Sequence, residues 1–128
     1  MTFTIKEIST ITNVSASTLR YYENEGLLPV IKRDNNGNRL YTEDNIEWIN
    51  LLLALRLTGM PIKEIKKYIE LYYQGSSTLN DRKKMMLQHK KRVENEITQT
   101  YKHLEKINYK LAVYDTLEAQ LNKKKVII

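Results

Sequence analysis

A chain of 128 residues with a formal charge of +6 and no cysteine has room for one modest core, or a small domain with an attached helix. The missing thiols exclude disulfides, thiolate metal sites and redox sensing through the protein's own cysteines. No N-terminal apolar run has signal-peptide length and no segment approaches the roughly 18 to 20 apolar residues of a membrane span, so a soluble, cytoplasmic protein with no membrane partner is expected.

The positive charge is unevenly placed. Through Gly75 the basic residues are cancelled by Asp and Glu, and the excess lies in the Arg82 to Arg92 run and at Lys123-Lys124-Lys125. Net charge is therefore no warrant for nucleic-acid binding; the placement of single cations in the first half is.

Thr4-Ile5-Lys6-Glu7 has the form of a capping box, with Glu7 reaching back to the Thr4 amide. A short helix to about Thr12 follows, with Ile5, Ile8 and Ile11 on its buried side, and Asn13 suits a tight turn. Ser15 is then the N-cap of a second helix that starts at about Ala16. Leu19 faces inward, while Ser17, Thr18, Arg20 and Tyr21 cover much of the rest of the helix. Arginine binds phosphate or reads guanine bidentately, and the hydroxyls of Ser15, Ser17, Thr18 and Tyr21 can contact backbone or base edges. Two short helices with a turn of three or four residues between them make a helix-turn-helix, a spacing that also occurs in domains that touch no DNA.

Gly26, as a left-handed C-cap, and Pro29 end the second helix. Residues Val30 to Tyr41 read as a hairpin turning at Asn36-Gly37, and Arg33 and Arg39 on it make it a wing whose cations meet the phosphate backbone. Thr42 caps a third helix with Glu43 and Asp44 in its first turn. Its apolar residues fall on most of the circumference, so it is the core helix and Trp48 is packed rather than functional. After Thr58-Gly59-Met60-Pro61, a fourth helix buries Ile62, Ile65, Ile69 and Tyr72, and leaves Lys63, Lys66 and Lys67 near its outer side, either reaching a phosphate or simply solvated.

Gly75-Ser76-Ser77 is the one credible linker. This divides the chain into a winged-helix domain (1–75), a linker (76–80), a coiled-coil helix (81–121) and a tail (122–128). From about Leu79 to Leu121 there is no proline or glycine, and a seven-residue pattern emerges. One seam position holds Met86, Val93, Thr100, Ile107, Tyr114 and Leu121; the other holds Lys90, Ile97, Leu104 and Leu111, ending in Glu118. A helix of about forty residues, roughly 60 Å long at about 1.5 Å per residue, cannot bury such a seam on one small domain. The expected partner is the same helix of a second subunit, through Met86, Val93, Ile97, Leu104, Ile107, Leu111 and Tyr114, with a fold-back as the lesser alternative. His89 and His103 flank the seam two heptads apart, without ligand spacing, so no metal site is expected and both are read as flanking or solvated.

Taken together, Thr18-Leu19-Arg20-Tyr21-Tyr22-Glu23 with Gly26-Leu27-Leu28, Gly37-Asn38-Arg39-Leu40-Tyr41, Leu55-Arg56 with Gly59-Met60, and Glu64-Ile65 resemble the signature of the MerR family of bacterial transcription regulators, over about Phe3 to Leu71. The resemblance implies a mainly α fold: a winged helix-turn-helix DNA-binding domain with a small β-hairpin wing, then a long helix that dimerises as an antiparallel coiled coil. It also implies a homodimer on a promoter whose spacer is too long, bending and untwisting the DNA so that RNA polymerase meets both promoter elements. By position, Arg20 and Tyr21 are expected at the DNA, Tyr22 at a phosphate or supporting the helix, and Arg39 and Tyr41 in the wing. Asn38 departs from the family's usual tyrosine at the wing. The short, cysteine-free C-terminal part does not resemble the family's metal or thiol sensors, nor has it the length of the large drug-binding domain found in other members, so an unknown small-molecule inducer is left open.

No cysteine nucleophile, paired histidine or glycine-rich phosphate loop is present, so neither catalysis nor a cofactor is expected. The rival reading is a protein-interaction module that docks through its winged helix and pairs its long helix with a different protein.

Overall fold

A computed structural model describes residues 1–127, with side chains through residue 124. Four helices and a hairpin come first: α1 (Ile5–Thr12), α2 (Ala16–Asn24), β1 (Lys32–Arg33), β2 (Arg39–Leu40), α3 (Glu43–Leu57) and α4 (Ile62–Gln74). A 3-10 turn (Ser76–Thr78) leads into α5 (Leu79–Ile127).

Local chemistry sets the helix ends. Thr4 and Glu7 close the capping box of α1, Asn13 takes the left-handed conformation at φ 58°, and the Ser15 hydroxyl accepts from the Thr18 amide at 3.1 Å to start α2. Thr42 and Asn45 form a second capping box on α3. Ile8, Val14, Leu19, Leu27, Leu28, Ile31, Tyr41, Ile49, Leu52, Leu55, Met60, Ile65 and Ile69 form the core, so α3 and α4 hold the helix-turn-helix from behind. Trp48 packs against this core, and its indole N–H donates to the Leu27 carbonyl at 2.9 Å, fixing the segment that joins α2 to the wing. On the other side of that segment, the Val30 amide donates to the Tyr73 hydroxyl at 2.9 Å.

Some expectations change. Ile11 is half-exposed, and Thr12 takes the buried place beside it, satisfying its hydroxyl by donating to the Ile8 carbonyl at 2.7 Å. Residues 76–78 are not a loose linker. Thr78 is buried with its hydroxyl on the Leu71 carbonyl, and Arg82 ties back to Thr78 and to the Gly75 carbonyl. The first compact unit accordingly runs to Leu87, past the boundary expected at Gly75, and Met86 packs against its core.

The second unit, from Gln88, is the rest of α5. Ile97, Leu104, Ile107, Leu111, Tyr114 and Leu121 are exposed along it, with Tyr101 and Leu117 flanking them. Val93 is half-buried. His89 is buried rather than solvated, and its Nδ1 lies 3.4 Å from the Arg92 guanidinium. Helix continues through Ile127 where a separate tail was expected at 122–128; Ile128 and the apolar side chains at the end of that segment lie outside the described residues. No helix of the described residues is long and apolar enough to cross a membrane, and among those residues no cluster of His, Asp or Glu could hold a metal ion.

Candidate nucleic-acid interface

Helix α2 presents Ser17, Arg20, Tyr21 and Asn24 to solvent, the i, i+3, i+4, i+7 pattern of one helical face. Its N-terminus gathers three hydroxyls. Ser15 Oγ donates to Thr18 Oγ1 at 2.8 Å and lies 3.1 Å from Ser17 Oγ, beside backbone N–H groups that favour an anion. Arg20 has no carboxylate within salt-bridge distance among the described residues. Its guanidinium and the half-exposed Tyr21 ring are therefore free to meet a duplex. Tyr22 turns inward against the core, with its ring 6.1 Å from that of Tyr21, and so supports the helix.

The wing turns on five residues rather than two. Arg33 pairs with Arg39; within that pair the Asp34 amide donates to the Asn38 carbonyl and the Gly37 amide to the Asp34 carbonyl. Gly37 alone in the turn has positive φ, at 82°, which places Asn35 and Asn36 at the turn's centre and Gly37 at the left-handed bulge. The Asp34 carboxylate organises this. It accepts from the Asn36 and Asn38 amides at 2.9 Å each, and the backbone hydrogen bond from Asn38 above all holds its pKa below the ordinary value.

Strand alternation then decides where the wing's side chains go. Arg33 and Arg39, directly opposite one another, share the face turned to α2, and Tyr41, two residues after Arg39, continues that face. Glu23 of α2 receives both arginines: Arg39 Nε donates to Oε2 at 2.5 Å, and Arg33 lies 3.4 Å from Oε1. Arg33 also donates to the Gly37 carbonyl at 3.0 Å and stays 45% exposed, whereas the Arg39 side chain is only 19% exposed. Arg33 is thus the wing cation offered to solvent; Arg39, expected at the DNA backbone, is held against α2 instead.

Tyr41 is corrected more sharply. It is fully buried, so it is a core residue and not a surface contact. Its backbone is bonded in both directions to Phe3, and its hydroxyl has no hydrogen-bond partner. Burial, with Glu23 adding to it, pushes the phenol's pKa up. Lys63 lies exposed in the first turn of α4, and one turn on Lys66 pairs with Glu25 at 3.7 Å, which sets this edge of α4 beside the end of α2. A cleft of 320 Å³ between α2 and the wing is lined by Thr4, Arg20, Gly37, Asn38 and Arg39 among others.

The structure thus leaves Ser15, Ser17, Thr18, Arg20, Tyr21 and Arg33 on helix and wing surfaces, with Arg20 of these lining the cleft, and Lys63 on α4. It withdraws Tyr22, Arg39 and Tyr41. Glu23 was assigned no role from sequence, although a single acid in a helix followed by two wing arginines is a signal that could have found it.

Comparison with known proteins matches this architecture. The family model described as MerR HTH family regulatory protein matches residues 3–71, and that described as MerR, DNA binding, matches residues 46–102. An uncharacterized HTH-type transcriptional regulator of Haemophilus influenzae is 37% identical over 93% of this chain and 88% of its own. HiNmlR, a MerR family regulator lacking the sensor domain and solved bound to promoter DNA, is similar at a TM-score of 0.85 and 37% identity, covering 93% of this chain and 94% of that one. A MerR family transcriptional regulator from Listeria monocytogenes superposes at a TM-score of 0.89 with 32% identity, over 96% of this chain and 95% of its own. Matched by family models over most of its first hundred residues and by relatives along nearly its whole length, the chain belongs to the MerR family of transcription regulators.

Proposed function

We propose that this regulator acts in the cytoplasm as a homodimer on a palindromic promoter operator, and that it bends and untwists the promoter spacer for RNA polymerase. Ser17, Arg20 and Tyr21 enter the major groove. Ser15, Thr18, Arg33 and Lys63 meet phosphates, and Arg39 and Tyr41 act indirectly by holding the wing. No catalytic step is part of this function. An inducer, if the protein has one, is a small molecule of unspecified chemistry.

The observation that carries the reading is the joined surface of α2 and wing, with an unpaired arginine on the helix and a half-exposed one on the wing. The exposed run Ile97, Leu104, Ile107, Leu111 and Tyr114 on α5 supports the dimer, because an apolar stripe at heptad spacing gains from a second copy. The DNA-bound state of HiNmlR supports a promoter as the target. Deforming the duplex is one way in which two fixed reading heads act on DNA without further chemistry.

The test is fluorescence transfer between dyes at the two ends of the operator duplex, with added protein. Transfer should rise on binding and saturate at two chains per duplex. Binding without a change in transfer would remove the bending mechanism, and saturation at one chain would remove the dimer.

A further inference from the structure

The hairpin register sets Arg33 directly opposite Arg39, and like charges at opposed positions destabilise an antiparallel pair. One carboxylate resolves this. Glu23 gives one oxygen to each arginine, and Arg33 is tied a second time across the turn to the Gly37 carbonyl. Among the described hydrogen bonds, the two at Glu23 are the ones that join side chains of α2 to the wing. Glu23 and Arg39 are each about four-fifths buried, so their contact is shielded from solvent ions in a way that an exposed pair is not.

This carboxylate also changes what DNA encounters. Two arginines and one glutamate present a net single positive charge, so Glu23 reduces the sequence-independent attraction of the wing for phosphates. An unanchored wing with two free arginines would follow any backbone. An anchored one fixes the register of the domain on the duplex, so that Arg20 and Tyr21 reach base edges only where the sequence suits them.

We propose that Glu23 is a specificity-determining positioning residue: by clamping Arg33 and Arg39 it makes α2 and the wing one rigid reading surface, exchanging general affinity for discrimination between sequences. This rests on the regulator reading above. Glu23 touches no DNA itself and acts through the two arginines.

The experiment compares the wild-type 128-residue chain with Glu23→Gln, Glu23→Asp and Arg39→Gln. Each is titrated at several salt concentrations on the duplex that the wild type selects from a random pool, and on a scrambled duplex. The Arg39 Nε–H resonance of each DNA-free protein that retains this arginine is followed by NMR. Glu23→Gln should bind the scrambled duplex more tightly, with a salt slope steeper by about one phosphate. Its discrimination between the two duplexes should fall about tenfold, comparable to a mismatched base pair.

Glu23→Asp keeps the charge but withdraws it by one methylene, so the slope should stay while discrimination falls. If Glu23→Gln does not fold, Arg39→Gln carries the test: discrimination should fall and the slope should become shallower by up to about one phosphate, because Glu23 is left facing Arg33 alone. Parallel weakening on both duplexes, with wild-type discrimination kept, would make Arg39 a plain phosphate contact and overturn the clamp. So would wild-type discrimination in Glu23→Asp, which would reduce Glu23 to a charge. A wild type without any sequence preference would instead sink the regulator reading, whereas a fast-exchanging Arg39 Nε–H in the free wild type would sink the clamp alone.

Discussion

Arg20 and Arg39 carry the same charge and meet opposite fates because of their neighbours. Arg20 points to solvent from α2 with no carboxylate within salt-bridge distance among the described residues, while Arg39 spends its charge on Glu23. Replacing Arg20 with alanine should therefore weaken specific binding by about 1 to 3 kcal/mol if it reads a base, with the loss concentrated on one position of the site. Equal loss on every duplex would make it a phosphate contact. Tyr41 allows a cleaner test. Its hydroxyl is buried without a partner, so Tyr41→Phe removes a desolvated group and should raise stability by about 1 to 3 kcal/mol at unchanged DNA affinity. Thermal melting and a binding titration decide this; a drop in affinity without a drop in stability would restore Tyr41 to the interface. Sequence made both residues visible as members of the wing motif. What it could not supply was the direction each side chain takes, because that depends on a strand register set by the Asp34 turn.

Caps and turn residues make most elements legible in the sequence. Thr4, Ser15, Thr42 and Gly26 stand at ends that the structure confirms, and the aliphatic spacing of α3 marks it as the core helix. The turn at Asn36-Gly37 was placed one residue late, since a strong dipeptide signal was overruled by the Asp34 carboxylate capturing two amides. The linker failed for a related reason. Glycine and serine composition signals freedom, but the Thr78 hydroxyl and the Arg82 guanidinium satisfy the local carbonyls and lock the segment. For α5 the heptad reading predicts the outcome of one substitution. Leu104→Lys places a charge in the middle of the apolar stripe and should convert the proposed dimer to monomer in sedimentation, with operator affinity falling in step. A variant that stays dimeric would move the interface off this seam.

At the scale of the whole molecule, the family frame explains why net charge is a poor guide. Through Gly75 the chain carries as many acidic as basic residues, and the surplus of basic residues falls later in the chain. In the dimer proposed above, affinity would come from two linked reading heads rather than from a broad basic surface, and regulation from how the pair shapes the duplex. The measurement that bears most directly on this is selection of binding sites from random duplexes by the purified chain, followed by titration of the winning site against salt. A palindrome with half-sites separated by about 34 Å or a multiple of it, lost when either half is scrambled, is the predicted result. Enrichment of a single half-site, or of no sequence at all with only weak salt-sensitive binding, would contradict the dimeric regulator and point to a protein partner for α5.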